Sequence, residues 1–209
     1  MLQRALRSPL VIGAVFLSLL FCAAPRNAAA QDQAAAGFIQ NLGTQGLQAL
    51  SGPEQQRVAR FRQLLDASFD MPEISRFVLG QYARSLPPQQ QQEFGTLFRD
   101  YVAQSYAIRL APYAGAPFRV TGARPNGGET VVSSEVSRSG GQPVRIDWHV
   151  MGNGGRDLVT DVVVDGVSMK VTQRQEFASI IQRNGGRPEA LLAALRQQIG
   201  QGFYGGSHR

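Results

Sequence analysis

The stretch Leu158-Val159-Thr160-Asp161-Val162-Val163-Val164-Asp165-Gly166-Val167-Ser168 decides how this chain folds. A nearly unbroken β-branched and apolar run stops at Asp165-Gly166, and a second run, residues 167–172, begins at once. β-Branched residues suit a pleated, half-buried surface. A two-residue Asp-Gly link supplies the positive φ angles of a tight hairpin. The segment therefore predicts two antiparallel strands, 158–164 and 167–172. Upstream the same pattern recurs at residues 144–151, where Val144, Ile146, Trp148 and Val150 alternate with Arg145, Asp147 and His149. It recurs again at 129–137 and 118–123. The connectors 125–128, 139–141 and 152–155 all carry glycine, with asparagine in two of them. Short turns join antiparallel neighbours, so the reading is a five-stranded meander with one apolar face and one wet face.

Both flanks of this sheet have a helical period. Val58, Phe61, Leu65 and Phe69 fall three and four residues apart behind the break Ser51-Gly52-Pro53. That spacing marks one face of a helix. Asp70 is placed to cap a shorter helix with Pro72 in its first turn, and Gly80 to end it. A long helix is expected over 89–110, with Phe94, Leu97, Phe98, Tyr101, Ser105 and Ile108 on one stripe. Phe177, Ile180 and Ile181, then Leu191, Leu192, Leu195 and Ile199, predict two closing helices. Residues 37–50 are mildly helical. The sum is an α+β domain whose helices cover one side of a curved antiparallel sheet.

The chain has 209 residues, 43% apolar and 17% charged. That is too apolar for a disordered chain and too polar for a multi-span membrane protein. Residues 1–30 read as a secretory signal peptide. Arg4 and Arg7 precede the apolar run 10–24, and Ala28-Ala29-Ala30 supplies small residues for cleavage after Ala30. The run is shorter than the ~20 residues of a spanning helix. Cys22 follows the bulky Phe21, so it reads as part of this run and not as a lipoprotein site. The expected organisation is a signal peptide at 1–30, a single domain at 31–199 and a disordered glycine-rich tail at 200–209. The exported part would contain no cysteine and would rely on its core. The formal charge of +6 falls to +3 without Arg4, Arg7 and Arg26, too small for a nucleic-acid footprint.

The sequence carries no phosphate-binding loop, no dinucleotide fingerprint and no nucleophile elbow. The only histidines are His149 and His208, too few for a conventional zinc site. His149 beside Asp147 reads as a polar strand face, or less economically as a general base. Asp161, set among valines, needs a partner, and Arg174 is a candidate. No catalytic residue, metal or cofactor is expected.

The ordered set of motifs resembles the MlaC family of periplasmic phospholipid-binding proteins, also called toluene-tolerance auxiliary proteins. The segment opening Phe69-Asp70 and closing Leu79-Gly80 carries the resemblance, with the Tyr106…Leu110…Tyr113 pattern. So do Asp161-Val162, Gly166-Val167-Ser168, and Arg174 with Phe177. The chain departs from the family pattern at Leu158 and Gln173, and a related branch is associated with hopanoid biosynthesis. The resemblance implies a fold similar to nuclear-transport-factor-2-like domains, with a deep apolar pocket for a phospholipid or a hopanoid-like lipid. It implies a periplasmic shuttle in an ABC-type transport system. Its partners would be an outer-membrane lipoprotein–porin complex and an inner-membrane complex of an MCE-domain protein with an ABC ATPase.

Pocket-lining residues are expected to be Ile146, Trp148, Val150, Val162 and Met169 of the sheet side. Phe98, Tyr101, Val102 and Tyr106 of the long helix would face them. Two alternatives predict different behaviour. An isomerase-type enzyme on the same fold would need Asp161 or a tyrosine as its acid or base. An interaction module without a ligand would have no continuous apolar void.

Overall fold

Backbone dihedrals at the turns fix the sheet first. In this computed structural model, which describes residues 26–137, 141–153 and 155–200, Asp165 and Gly166 have φ of 47° and 83°. These are the values of a two-residue hairpin turn with both central residues left-handed. Gly127 and Gly128, at 57° and 95°, make an equivalent turn. This lets β1 (Phe118–Asn126) run beyond the expected residue 123 to pair Asn126 with Glu129 at the start of β2 (Glu129–Val136). β3 (Val144–Asn153), β4 (Arg156–Val164) and β5 (Val167–Ser168) complete the sheet. All neighbours are antiparallel in the order β1-β2-β3-β4-β5, the expected meander.

β5 is two residues long, which corrects the expected strand 167–172. Ser168 accepts the Val171 N–H at 3.2 Å and so caps helix α5 (Met169–Arg183). The carboxylate of Asp161 takes the Lys170 N–H at 3.2 Å. These bonds satisfy two of the four free N–H groups of a helix start, so the chain turns helical at Met169.

The other five α-helices among the described residues are α1 (Arg26–Ala49), α2 (Glu54–Ser68), α3 (Met71–Leu79), α4 (Pro88–Arg109) and α6 (Glu189–Gly200). Asp70 caps α3 by accepting the Glu73 N–H at 3.1 Å, with Pro72 in the first turn. Gly80, at φ 57°, ends it. α1 begins earlier than the expected residue 37 and lies along β1 and β2. α3 and α5 flank β4, while α4 packs on α2 and α6. The expected signal peptide lies outside the described residues up to residue 25, and residues 26–30 belong to α1. Of the expected tail, Gly200 ends α6, and residues 201–209 lie outside the described range.

Burial divides into two cores. One lies within the helical layer, where Phe94, Phe98, Tyr101 and Phe177 meet Val78, Ile181 and Leu191. Its rings form a compact set. Phe94 and Phe98 are stacked at 5.7 Å, and Phe177 meets both edge-on at 6.1 and 5.8 Å. Such pairs contribute about 0.5–1.5 kcal/mol each beyond their buried area. The second core joins Ala35, Ile39 and Leu42 of α1 to Val132, Val150 and Val159 of the sheet. Phe69 packs against both.

The approach of α1 to β1 depends on Gly43. A Cβ there would lie 2.3 Å from the Phe118 ring. Gly43→Ala should therefore destabilise the fold by about 1–3 kcal/mol, the usual cost of overpacking. In a Phe118→Ala background the same change should be neutral or stabilising, since alanine favours helix over glycine by ~1 kcal/mol. Urea unfolding of the four proteins measures this; equal costs in both backgrounds would refute the contact.

Candidate functional site

The seam between the two cores is not filled. A cavity of about 300 Å³ lies there, within the usual size range of ligand pockets. Its wall on the α4 side is Phe98, Val102, Tyr106 and Leu110, four residues apart on one helix face. The sheet contributes Ile146, Trp148, Val162 and Val164, and Met169 follows at the start of α5. Phe118, Val136, Val144 and Val164 all come from one end of the sheet. Leu47, Leu110, Tyr113, Val144 and Met169 on that side are each only partly buried, which marks the mouth. The opposite end is sealed by Val150 and Val159.

Seven of the nine expected lining residues border this cavity: Phe98, Val102, Tyr106, Ile146, Trp148, Val162 and Met169. Two do not. Tyr101 sits three residues past Phe98, off the stripe, and its ring packs on Phe177 at 5.8 Å. Val150 belongs to the sealed end, 1% exposed among the α1 and sheet side chains of the second core. The wall formed by Leu42, Gly43, Gly46 and Leu47 of α1 and by Leu50 just beyond it lies outside the expected set. Its signal was present: these positions share a helical face, but two glycines weaken the apolar pattern. Phe61, placed on the apolar face of its helix by spacing, also borders the cavity, together with Leu64, Met71 and Ile74.

Three polar residues of the wall, Trp148, Thr160 and Asp161, are hydrogen-bonded within the protein. Trp148 Nε1 donates to Ser134 Oγ at 2.9 Å. Thr160 Oγ1 donates to Glu129 Oε1 at 2.7 Å. Asp161 accepts from Ser168 Oγ at 2.6 Å and from the N–H groups of Val162 and Lys170. Arg174 is therefore not its partner, which corrects the expected pairing. The Arg174 guanidinium stands 5.1 Å from the centre of the Phe77 ring and against Gly80, where a Cβ would come within 2.9 Å of it. Lys170 Nζ lies over the same ring at 4.9 Å.

The quoted motif residues thus have structural positions. Phe69 bridges to Val159, Asp70 caps α3, Leu79-Gly80 ends it, and Gly166 and Ser168 shape the last turn. Phe177 anchors the ring cluster.

His149 does not border the cavity. Its Nδ1 lies 3.0 Å from Glu129 Oε2 on the other sheet face. Burial alone would raise the Glu129 pKa. The hydrogen bonds from Thr160 and His149 and the charge of His149 outweigh it and hold the carboxyl below its ordinary 4.5. Tyr106 is pushed up by burial, partly opposed by Arg109. Among the described residues no cluster of His, Cys, Asp and Glu could hold a metal, and no helix is long and apolar enough to cross a membrane.

A five-stranded antiparallel sheet with helices enclosing an apolar cavity defines a small α+β binding domain. The model of the MlaC protein family matches residues 35–197, so the chain belongs to the MlaC family. The toluene tolerance protein ttg2D of Pseudomonas putida is 27% identical over 124 residues, 58% of this chain. The match spans only 58% of that relative's own length. A phospholipid-binding protein from Ralstonia solanacearum, solved in complex with a phospholipid, has the same fold. The TM-score is 0.68 at 22% identity, over 80% of this chain and 97% of that one.

The lowered Glu129 pKa gives a pH prediction. A carboxyl whose folded pKa is depressed contributes stability that is complete above its unfolded pKa and lost as pH falls through the folded value. Wild type should lose part of its stability below pH 4.5, and Glu129→Gln should show a shallower acid limb in urea titrations. Identical limbs would show that the Thr160–Glu129–His149 cluster is not coupled to folding.

Proposed function

We propose that this chain is a soluble periplasmic lipid carrier that holds phospholipid acyl chains in the cavity. It would shuttle lipid between outer and inner membranes as the mobile component of an ABC-type transport system. The observation that carries this reading is the apolar void left between two otherwise close-packed cores, in a member of the MlaC family. The phospholipid in the Ralstonia solanacearum protein of the same fold supports it. Its partners would be an outer-membrane lipoprotein–porin complex and an inner-membrane MCE-domain and ABC complex, with residues 1–30 removed on export and 31–199 forming the carrier domain.

The energetics suit the task. Each buried methylene is worth ~0.8 kcal/mol, so a lipid leaving a membrane unaided faces a large barrier, and burial of its chains in an apolar cavity lowers it. Apolar burial is non-directional, so the same wall accepts different chains. Trp148, Thr160 and Asp161 on the wall are held in structural bonds, which suits binding without chemistry.

Native mass spectrometry of the protein purified without residues 1–30, followed by lipid extraction, tests the reading. Co-purified phospholipid is the expected result. A hopanoid would keep the carrier and change the cargo. A chain that stays empty after incubation with phospholipid vesicles would overturn it.

Gly46 gives a sharper test, because it borders the cavity and a Cβ there meets nothing within 4 Å. Gly46→Leu should lower the lipid load several-fold while leaving stability equal or higher, since leucine is the better helix former by roughly 0.8 kcal/mol. Asp161→Asn should cost about 1–3 kcal/mol of stability through its lost bonds. It should leave the lipid load per folded chain unchanged.

A further inference from the structure

Among the polar side chains that border the cavity, Tyr106 stands apart. Thr160, Asp161, Trp148 and Gln173 are hydrogen-bonded inside the protein, and Lys170 rests on Phe77. Tyr113 is engaged as well. The Tyr106 hydroxyl makes no hydrogen bond to a described residue, although the side chain is largely withdrawn from water. It is not among the unpartnered polar atoms sealed inside protein. It therefore opens onto accessible space in a wall that is otherwise apolar. A phenol left in that position has a free donor and gains from any acceptor that enters.

The depth of this donor identifies the acceptor. Tyr106 lies one step of four residues inside Leu110 on the stripe that runs from Phe98 to the mouth, about 6 Å along the helix at 1.5 Å per residue. A lipid whose tails fill the cavity and whose charged headgroup stays in water places its chain linkage just inside the rim. An ester linkage carries a carbonyl oxygen there. An ether linkage carries a much poorer acceptor, and an all-hydrocarbon ring system carries none.

We propose that Tyr106 is a specificity-determining residue whose hydroxyl donates to the ester carbonyl of the cargo, so that the cavity selects acyl-ester lipids over alkyl or polycyclic ones. This rests on the carrier reading above and names the part of the ligand that is read by direction rather than by area. The charge of the headgroup plays no part in it.

The test compares two lipids that differ only in that carbonyl. Delipidated protein is offered, in competition, vesicles of a diacyl phosphatidylglycerol and of its dialkyl ether counterpart with matched chains. Lipid bound per chain is read by native mass spectrometry. Wild type should favour the ester lipid by about 2- to 10-fold, the range of one neutral hydrogen bond. Tyr106→Phe should bring the ratio to one. No preference in wild type, or a preference that survives in Tyr106→Phe, would overturn the proposal. The wild-type comparison decides even where the variant fails to fold. Binding of neither lipid by wild type would instead refute the carrier reading, and this proposal with it.

Discussion

The backbone bond from the Asp70 N–H to the Val159 carbonyl, 2.9 Å long, holds the helical layer against the sheet. Phe69 pairs with Val159 as an isolated parallel bridge at the same point, and its ring joins both cores. This fixes α2 and α3 to the middle of β4 and closes one end of the seam. At the other end the sheet side is Phe118, Val136, Val144 and Val164, and the helix side is Leu47, Leu110 and Tyr113, with space left between them. The void follows from where the two layers are tied. Native interiors are otherwise packed to crystal density, so a cavity of this size persists because the tie and the flanking cores resist collapse.

A single irregularity in β4 reconciles that apolar wall with polar residues. Trp148 pairs with Val162, His149 with Asp161 and Val150 with Val159, so Thr160 is an extra residue in its strand. The bulge lets Val159 and Val162 both face inward. Thr160 is directed to Glu129, and Asp161 to Ser168 and the start of α5. Thr160 and Asp161 are satisfied, which removes the cost of burying them next to an apolar cavity. The same bond set determines that the chain becomes helical at Met169 and not strand through residue 172.

This shows why some of the site was legible in the sequence and some was not. The meander was readable because period-2 alternation and left-handed turn residues are local signals; Asp165-Gly166 needs no tertiary information. The α4 stripe and the Trp148 face were readable for the same reason, and most of the residues they named border the cavity. Tyr101 and Val150 were misplaced because periodicity gives a face but neither its depth nor its exact bearing. Three residues separate Tyr101 from Phe98, enough to rotate it toward Phe177. The α1 wall was missed because Gly43 and Gly46 erase the apolar signal where they let the helix approach Phe118 and leave room for a ligand. Asp161 was correctly seen to need a partner, but a carboxylate can be satisfied by backbone and hydroxyl donors, and residue types alone do not distinguish these from an arginine.

The cavity also combines two kinds of recognition that rarely reinforce each other. Apolar area holds a ligand without regard to orientation, so an area-only pocket binds anything greasy of the right bulk. Discrimination requires a group that is worse off with the wrong ligand than with the right one. A fully satisfied wall cannot supply it, because every polar atom already has its bond. An unbonded hydroxyl near the mouth can, since it is left wanting by a cargo without an acceptor and completed by one that has it. Tyr106 is placed to do this at little cost to the empty protein: near the mouth, solvent can serve the hydroxyl until a ligand displaces it. In the role proposed for Tyr106, one directional group against an apolar wall would keep tolerance for chain length and headgroup while making the linkage between them the feature that is read.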